Sequence, residues 1–180
     1  MDKSFQDFHK AYIHRVASWK AEVLYTWQWW LGMSLTLIPW IFWIIVRKKD
    51  STGRLLYVGV FVSLVSVTLD NIGVQLSLWD YVKPVTPAIP SYLPYDFSLM
   101  PVTIMLLIQF TYKVNHWLIG LIYALITSFI GEPIFKWMGI YDPVNWKHIY
   151  SVPFYLLIYV SAYKLAFIKT FNSINKESNQ

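Results

Sequence analysis

The chain has 180 residues, of which 56% are hydrophobic, only 14% are charged and none is cysteine. A soluble domain carries about 25% charged residues, so this chain has too little charge to cover a water-exposed surface. The lack of cysteine excludes disulfides, thiol catalysis and cysteine-ligated metal. The composition predicts a membrane protein, and the number and length of its apolar segments predict an all-α, polytopic bundle of about five transmembrane helices.

The positive charge of the chain is better explained by a membrane than by nucleic acid. The formal net charge is +5, which in a soluble domain would suggest a nucleic-acid partner. No nucleic-acid-binding motif is present, and membrane proteins carry such an excess in cytoplasmic loops and against anionic lipid. We therefore expect the lipid bilayer, and no nucleic acid, as a partner.

Residues 1–24 are predicted to form an amphipathic helix that lies in the membrane interface. They are too charged to span a bilayer, but their apolar residues recur at steps of three or four, as on one face of an α-helix. The residues of this stripe are Phe5, Phe8, Tyr12, Val16, Trp19 and Val23. A helix docked on a partner protein is the alternative interpretation.

Five apolar segments follow, and we interpret residues 25–171 as the transmembrane bundle. The segments run from about Trp29 to Val46, Leu55 to Trp79, Ser98 to Tyr112, Trp117 to Gly139 and Ile149 to Phe167. A span needs roughly 17–25 apolar residues, so the third segment is short unless it begins at about Leu93. Residues 172–180 are polar and are predicted to form a frayed tail.

The distribution of lysine and arginine predicts the orientation of the bundle. Loop 47–54 carries four positive residues, and Lys113, Lys169 and Lys176 lie on the same side. This places the 47–54 loop and the C-terminus in the cytoplasm, in a multi-pass protein of the cell membrane. The basic N-terminal helix argues for the opposite orientation.

Two carboxylates fall inside apolar segments, Asp70 in the second and Glu132 in the fourth. Each lies fifteen residues after the start of its apolar run, which puts both about 22 Å from the same membrane face. An ionisable group at that depth is costly. We therefore expect each acid to be paired, protonated or placed on a wet interior face.

Small and polar residues place both carboxylates on the packing faces of their helices. In the second segment these residues step by three or four, and they are Gly59, Ser63, Ser66, Asp70, Gly73 and Ser77. In the fourth segment Gly120, Ala124, Ser128 and Glu132 step by four. Such faces allow close helix packing in lipid, so we expect these two helices to be neighbours and the two carboxylates to approach each other.

The carboxylate pair is the hypothetical functional centre, where a shared proton or a bound cation would relieve the repulsion between two acids. Ser66 and Ser128 lie on the same helix faces. Ser151 and Tyr155 of the fifth segment reach the same depth as hydrogen-bond donors. Pure packing is the alternative, with Lys136 as a local partner of the acid in the fourth segment.

Two long loops lie on the same side as the carboxylates. Loop 79–98 contains four prolines, which exclude a helix and favour extended segments and turns. At the end of this loop, Asp96 or Ser98 is expected to cap the third helix. Loops 79–98 and 139–148 either form a roof over the carboxylates or belong to an interfacial aromatic belt.

No nucleotide-binding, hydrolase or metalloprotease motif occurs in the chain, and the four histidines lack metal-ligand spacing. No catalytic residue, cofactor or metal is therefore assigned. The favoured interpretation is a membrane binding or transport module for a proton, a cation or a small lipophilic ligand; a five-span carrier would have to form a homo-oligomer. An intramembrane enzyme acting on a lipidic substrate, and a non-catalytic scaffold or sensor subunit, are the alternatives.

Three segments carry a resemblance to a known family: LDNIGVQLSLWDY, PSYLPYDFSLMP and GEPIFKWMGIYDPVNWKHIYSVP. With about residues 25–170 covered, the chain resembles an uncharacterised family of small multi-pass membrane proteins from spore-forming Gram-positive bacteria. The resemblance implies a bacterial cell membrane, and it carries over no activity.

Overall fold

Helices make up most of residues 2–168, the part of the chain that the computed structural model describes. The predicted tail, residues 172–180, lies outside these residues. The helices are α1 Lys3–Glu22, α2 Trp27–Val46, α3 Lys49–Gln75, α4 Tyr95–Thr111, α5 His116–Trp137 and α6 His148–Ala166. Two short strands, β1 Asp80–Tyr81 and β2 Tyr141–Asp142, complete the described part. The predicted all-α bundle is confirmed.

Four of these helices, α2, α3, α5 and α6, are long and apolar enough to cross a membrane. Their outward faces are covered with exposed apolar side chains such as Ile41, Ile45 and Leu64, which require lipid rather than water as solvent. The remaining predicted span, the third apolar segment, corresponds to α4 and is shorter than the others. Helical conformation before α4 already begins at Leu93, the earlier start that the sequence left open.

Helix α6 packs against both α3 and α5, and α3 packs against α4. The expectation that α3 and α5 are direct neighbours is wrong, because each uses its strip of small residues against a different helix. Gly59 of α3 faces Met105 of α4, and Gly120 of α5 faces Tyr159 of α6. The strips were correctly identified as packing faces, but residue size alone does not specify which helix fills each one.

The loops between α3 and α4 and between α5 and α6 meet at one end of the bundle, and we call residues 76–94 and 138–147 the roof. Strands β1 and β2 pair antiparallel there, with Asp80 opposite Asp142 and Tyr81 opposite Tyr141. This pairing puts the C-terminal ends of α3 and α5 on the same side of the bundle.

The opposite end of the bundle is held by the side chain of Gln109 near the end of α4. Its amide nitrogen donates to the Val46 carbonyl, and its amide oxygen accepts from the Lys48 backbone N–H, both at 3.0 Å. These bonds satisfy polar groups in the connection between α2 and α3, which would otherwise be unpaired at the helix ends.

Helix α1 leaves its predicted apolar stripe largely exposed at the N-terminal end, where Phe5 and Phe8 are 54% and 69% exposed. Its C-terminal end is attached to the roof. The Trp19 indole donates to the Pro84 carbonyl at 2.8 Å, and the Lys83 ammonium donates to the Glu22 carbonyl at 2.8 Å. The helix therefore lies on the same side of the bundle as the roof.

Substituting Gly120 by leucine should destabilise the bundle by separating α5 from α6. A Cβ atom at this position would lie 2.7 Å from the Tyr159 ring, and such overpacking costs about 1–3 kcal/mol. We expect a lower apparent Tm by intrinsic tryptophan fluorescence in lipid nanodiscs. Gly53→Leu is the matched control, because a Cβ at Gly53 meets nothing within 4 Å; equal effects of the two changes would contradict the packing described here.

Candidate functional site

A cavity of about 320 Å³ lies beneath the roof, where α3, α4, α5 and α6 come together. Three carboxylates, Asp70, Asp96 and Glu132, are among its lining residues. Aromatic rings line much of the rest, among them Trp79, Tyr81, Tyr92, Tyr95, Tyr141 and Trp146. Among the described residues, no lysine or arginine lines this cavity.

Asp70 is buried on the inner face of α3, and the roof supplies its hydrogen-bond donors. Its Oδ1 accepts from the Trp79 indole at 3.0 Å and from the Tyr81 hydroxyl at 2.8 Å, and its Oδ2 accepts from the backbone N–H of Tyr92 at 3.1 Å. The Trp79 ring reaches this position by lying directly over Gly73, where any side chain would displace it. The roof and α3 are therefore joined through one carboxylate.

Asp96 is completely buried and was not predicted as a site residue. The expectation that Asp96 or Ser98 caps the third helix is wrong, since neither side chain caps it and both lie inside a π-helical turn, Tyr95–Leu99. The Ser66 hydroxyl donates to Asp96 Oδ1. The other oxygen, Oδ2, is buried without a hydrogen-bond partner, and the Asp70 carboxylate is the acidic group that faces Asp96.

Two facing carboxylates in a mostly apolar cavity cannot both be ionised at low cost. One proton shared between Asp70 and Asp96 would convert the contact into a hydrogen bond. A bound cation would neutralise the same repulsion. The sequence predicted that Asp70 would face Glu132, whereas the acid that it faces is Asp96. The shared proton or bound cation stays a prediction.

Glu132 lines the same cavity from α5 and is paired with α6. Its Oε2 lies 2.6 Å from His148 Nδ1, and its Oε1 accepts from the Tyr155 hydroxyl at 3.0 Å. Ser151 lines the cavity as well and accepts from the Trp146 indole at 2.8 Å. The partner of Glu132 is thus a histidine across the loop, and not the Lys136 that the local spacing suggested.

A π-helical turn, Thr127–Gly131, immediately precedes Glu132. The next residue, Pro133, has no N–H to donate to the preceding turn of helix. A widened turn accommodates this missing bond, and such turns recur at functional sites in helices. The turn also brings Thr127 and Gly131 into the cavity wall.

Tyr81, Tyr92 and Tyr141 of the roof remain neutral at physiological pH. Burial raises the pKa of Tyr81 well above its usual value, and the negative charge of the Asp70–Asp96 pair raises it further. Burial also raises the pKa of Tyr92 and of Tyr141. The Tyr81 hydroxyl therefore keeps its proton and its bond to Asp70.

The structure brings most of the sequence-predicted site residues to one cavity. Asp70, Glu132, Ser66, Ser151 and Tyr155 all line it, and their role in binding a ligand stays a prediction. The remaining candidate, Ser128, is completely buried but is not among the lining residues.

Asp96 and His148 were missed by sequence reasoning, although both had a signal. Asp96 is the second residue of α4, and His148 is the first residue of α6. In both cases the preceding helix carries an acid at the same end of the bundle, Asp70 in α3 and Glu132 in α5. Consecutive antiparallel helices bring such positions to the same depth. Within residues 2–168, no group of three or more His, Cys, Asp or Glu side chains is arranged to hold a metal ion.

In comparisons with known proteins, no family model matches the chain, and neither a curated protein nor a solved structure matches it. The resemblance to the family of spore-forming bacteria therefore stays a prediction. The site has to be interpreted from its own geometry.

Substitutions of Asp96 test the carboxylate pair. Asp96→Asn replaces the shared proton with an amide N–H, so we expect an apparent Tm at neutral pH that equals or exceeds that of the wild type. Asp96→Ala removes the acceptor of the Ser66 hydroxyl and the proton shared with Asp70, which should cost about 1–3 kcal/mol. Equal destabilisation by both changes would contradict the pairing, and the exposed Asp142→Asn serves as the control.

The raised pKa of Tyr81 predicts a loss of stability at alkaline pH. Above a pH of about 10 a tyrosine ionises in the unfolded chain while Tyr81 in the folded protein keeps its proton. The unfolded state then binds fewer protons, so the free energy of unfolding falls as the pH rises. Denaturation in nanodiscs should show a weaker decline for Tyr81→Phe than for the wild type. Tyr25→Phe, at a side chain that is 69% exposed, is the matched control. A slope for Tyr81→Phe equal to that of the wild type would contradict the assignment.

Proposed function

We propose that this protein is a membrane binding module, and that its ligand is a small organic cation held in the cavity beneath the roof. The observation that carries the proposal is the composition of the cavity wall. Three carboxylates and many aromatic rings line it, and none of its described lining residues is a lysine or an arginine. This combination favours a positively charged ligand over an anionic or a neutral one.

Aromatic rings favour organic cations because the negative face of each ring attracts positive charge. Cages of such rings bind quaternary ammonium groups, which are too weakly hydrated to require a complete shell of oxygen ligands. Here Tyr81 and Tyr92 stack with centroids 5.3 Å apart, and Trp79 and Trp146 meet edge to face at 5.0 Å. A volume of about 320 Å³ is within the range of small-molecule sites.

The carboxylates supply the charge that an aromatic cage alone lacks. Glu132 lies on one wall and the Asp70–Asp96 pair on another. If the pair shares one proton, the cavity retains negative charge on both walls even when His148 neutralises part of the charge of Glu132. A protonated amine or a quaternary ammonium group between these walls would interact with both, in surroundings that screen charge weakly.

The same proposal includes the location of the protein in a bacterial cell membrane as a multi-pass chain, with α4 as a fifth crossing. Positive charge in the 47–54 loop supports a cytoplasmic position for the end of the bundle opposite the roof. The roof and the cavity would then lie near the outer face of the membrane, with α1 on that surface.

A second candidate function is intramembrane acid–base catalysis on a lipidic substrate. The specific observation in its favour is the pair of facing acids, Asp70 and Asp96, because one protonated and one ionised carboxyl are the requirement for paired acid and base roles. Turnover of the bound molecule, followed by mass spectrometry, separates an enzyme from a binding module.

Binding of choline to protein in nanodiscs, measured by calorimetry, tests the proposal. We expect saturable binding of choline and no binding of its neutral carbon isostere, which has the same shape without the charge. Glu132→Gln removes the negative charge from one wall of the cavity. It should weaken the binding of choline about tenfold, which corresponds to about 1.4 kcal/mol of binding free energy.

The control for this experiment is Asp142→Asn, which removes the same charge from an exposed position on the roof strand. It should leave the affinity within about twofold of the wild type, since exposed charges are screened by solvent. Equal binding of choline and its neutral isostere would contradict the proposal. Equal losses in the two variants would show that the total charge of the protein, and not the cavity, attracts the cation.

A further inference from the structure

We propose that the ligand is a single-chain amphiphile, with its cationic headgroup in the cavity and its hydrocarbon chain in a groove between α3 and α6. This inference rests on the proposed function and specifies its ligand class. The observation behind it is a second hollow of about 190 Å³ along the seam of these two helices.

The groove and the cavity adjoin each other. Leu69, Phe154 and Ile158 line both of them, so these side chains form a wall shared by the two hollows. A ligand that occupies both would extend past these side chains, along the seam of α3 and α6.

The groove has the chemistry of a hydrocarbon site. Beyond the shared residues it is lined by Phe61 and Val65 of α3 and by Leu157 and Ser161 of α6, with no charged group among its described lining residues. Along α3 the lining residues recur every four positions from Phe61 to Leu69, a length of about 12 Å at 1.5 Å per residue. Most of an extended alkyl chain of ten or so carbons fits this length.

The groove also opens toward lipid. Leu157 is 60% exposed and Phe154 is 42% exposed, on helices that are long and apolar enough to lie in the bilayer. A chain can enter sideways from the membrane, while the headgroup moves into the cavity. The apolar groove thus matches the hydrocarbon chain of an amphiphile, and the acidic cavity matches its cationic headgroup.

Chain-length dependence in matched variants tests this inference. The probes are tetramethylammonium and dodecyltrimethylammonium, the latter below its critical micelle concentration, with protein in nanodiscs. Ser161→Trp fills the groove without touching the carboxylates. We expect it to weaken binding of the dodecyl probe about tenfold and to leave the affinity for tetramethylammonium unchanged.

The control variant is Leu64→Trp, which adds the same indole to a lipid-exposed position of α3 outside the groove. It should change neither affinity. Because wild type and variants are compared in the same bilayer, partitioning of the dodecyl chain into lipid cancels.

Three results would overturn the inference. If Ser161→Trp weakens the binding of both probes equally, or of neither probe, the hydrocarbon chain does not occupy the groove. The proposed headgroup site in the cavity is not contradicted by either result. If the wild type binds neither probe, the proposed function itself fails.

A second measurement does not depend on how the tryptophan variant folds. A diazirine at the end of the dodecyl chain should label wild-type protein at Phe61, Val65 or Leu157. Labelling spread evenly over exposed positions of α2 and α5 would contradict the proposal.

Discussion

A carboxylate inside an apolar helical bundle has to be hydrogen-bonded or neutralised, and the rest of this structure follows from that constraint. Asp70 obtains its donors from the roof, through the Trp79 indole, the Tyr81 hydroxyl and a backbone N–H. Glu132 obtains its partners from the start and the second turn of α6. Each acid thereby ties a helix to a segment distant in sequence. The paired strands of the roof and the buried acids support one another, which explains why a proline-rich loop has a defined conformation.

The same constraint shapes the cavity. Donors that reach a buried acid through Trp and Tyr side chains bring large rings with them, so the space near the acids becomes aromatic and apolar. Asp96 is the exception, because its Oδ2 is buried without a hydrogen-bond partner and another acid, Asp70, lies against its carboxylate. A buried polar group without a hydrogen-bond partner lowers the stability of the fold. Such groups are common at sites where function requires them. The cavity thus combines aromatic rings, which attract cations, with acids whose mutual repulsion a cation would relieve.

Much of the bundle could be predicted from the sequence because depth along a helix follows from a fixed rise per residue. Asp70 and Glu132 each lie five residues before the end of their helix and reach the same cavity. The strip through Gly59, Ser63 and Ser66 is buried as expected. The rotation of each helix about its axis and the order of neighbouring helices are set by tertiary packing. A strip of small residues encodes neither of them, so the sequence did not predict that α6 packs against both α3 and α5. Asp96 was misassigned since an acid before an apolar run usually caps a helix, and the π-helical turn that buries it has no sequence signature.

The central claim is that Asp70, Asp96 and Glu132 converge on one cavity that accepts an organic cation. The most direct measurement is an experimental structure with tetramethylarsonium bound, in which the anomalous scattering of arsenic locates the cation independently of the protein. The account predicts one arsenic peak beneath the roof, in contact with Tyr and Trp rings and between Glu132 and the two aspartates. An arsenic peak only on the outer surface of the protein, with the three carboxylates apart from one another, would contradict it.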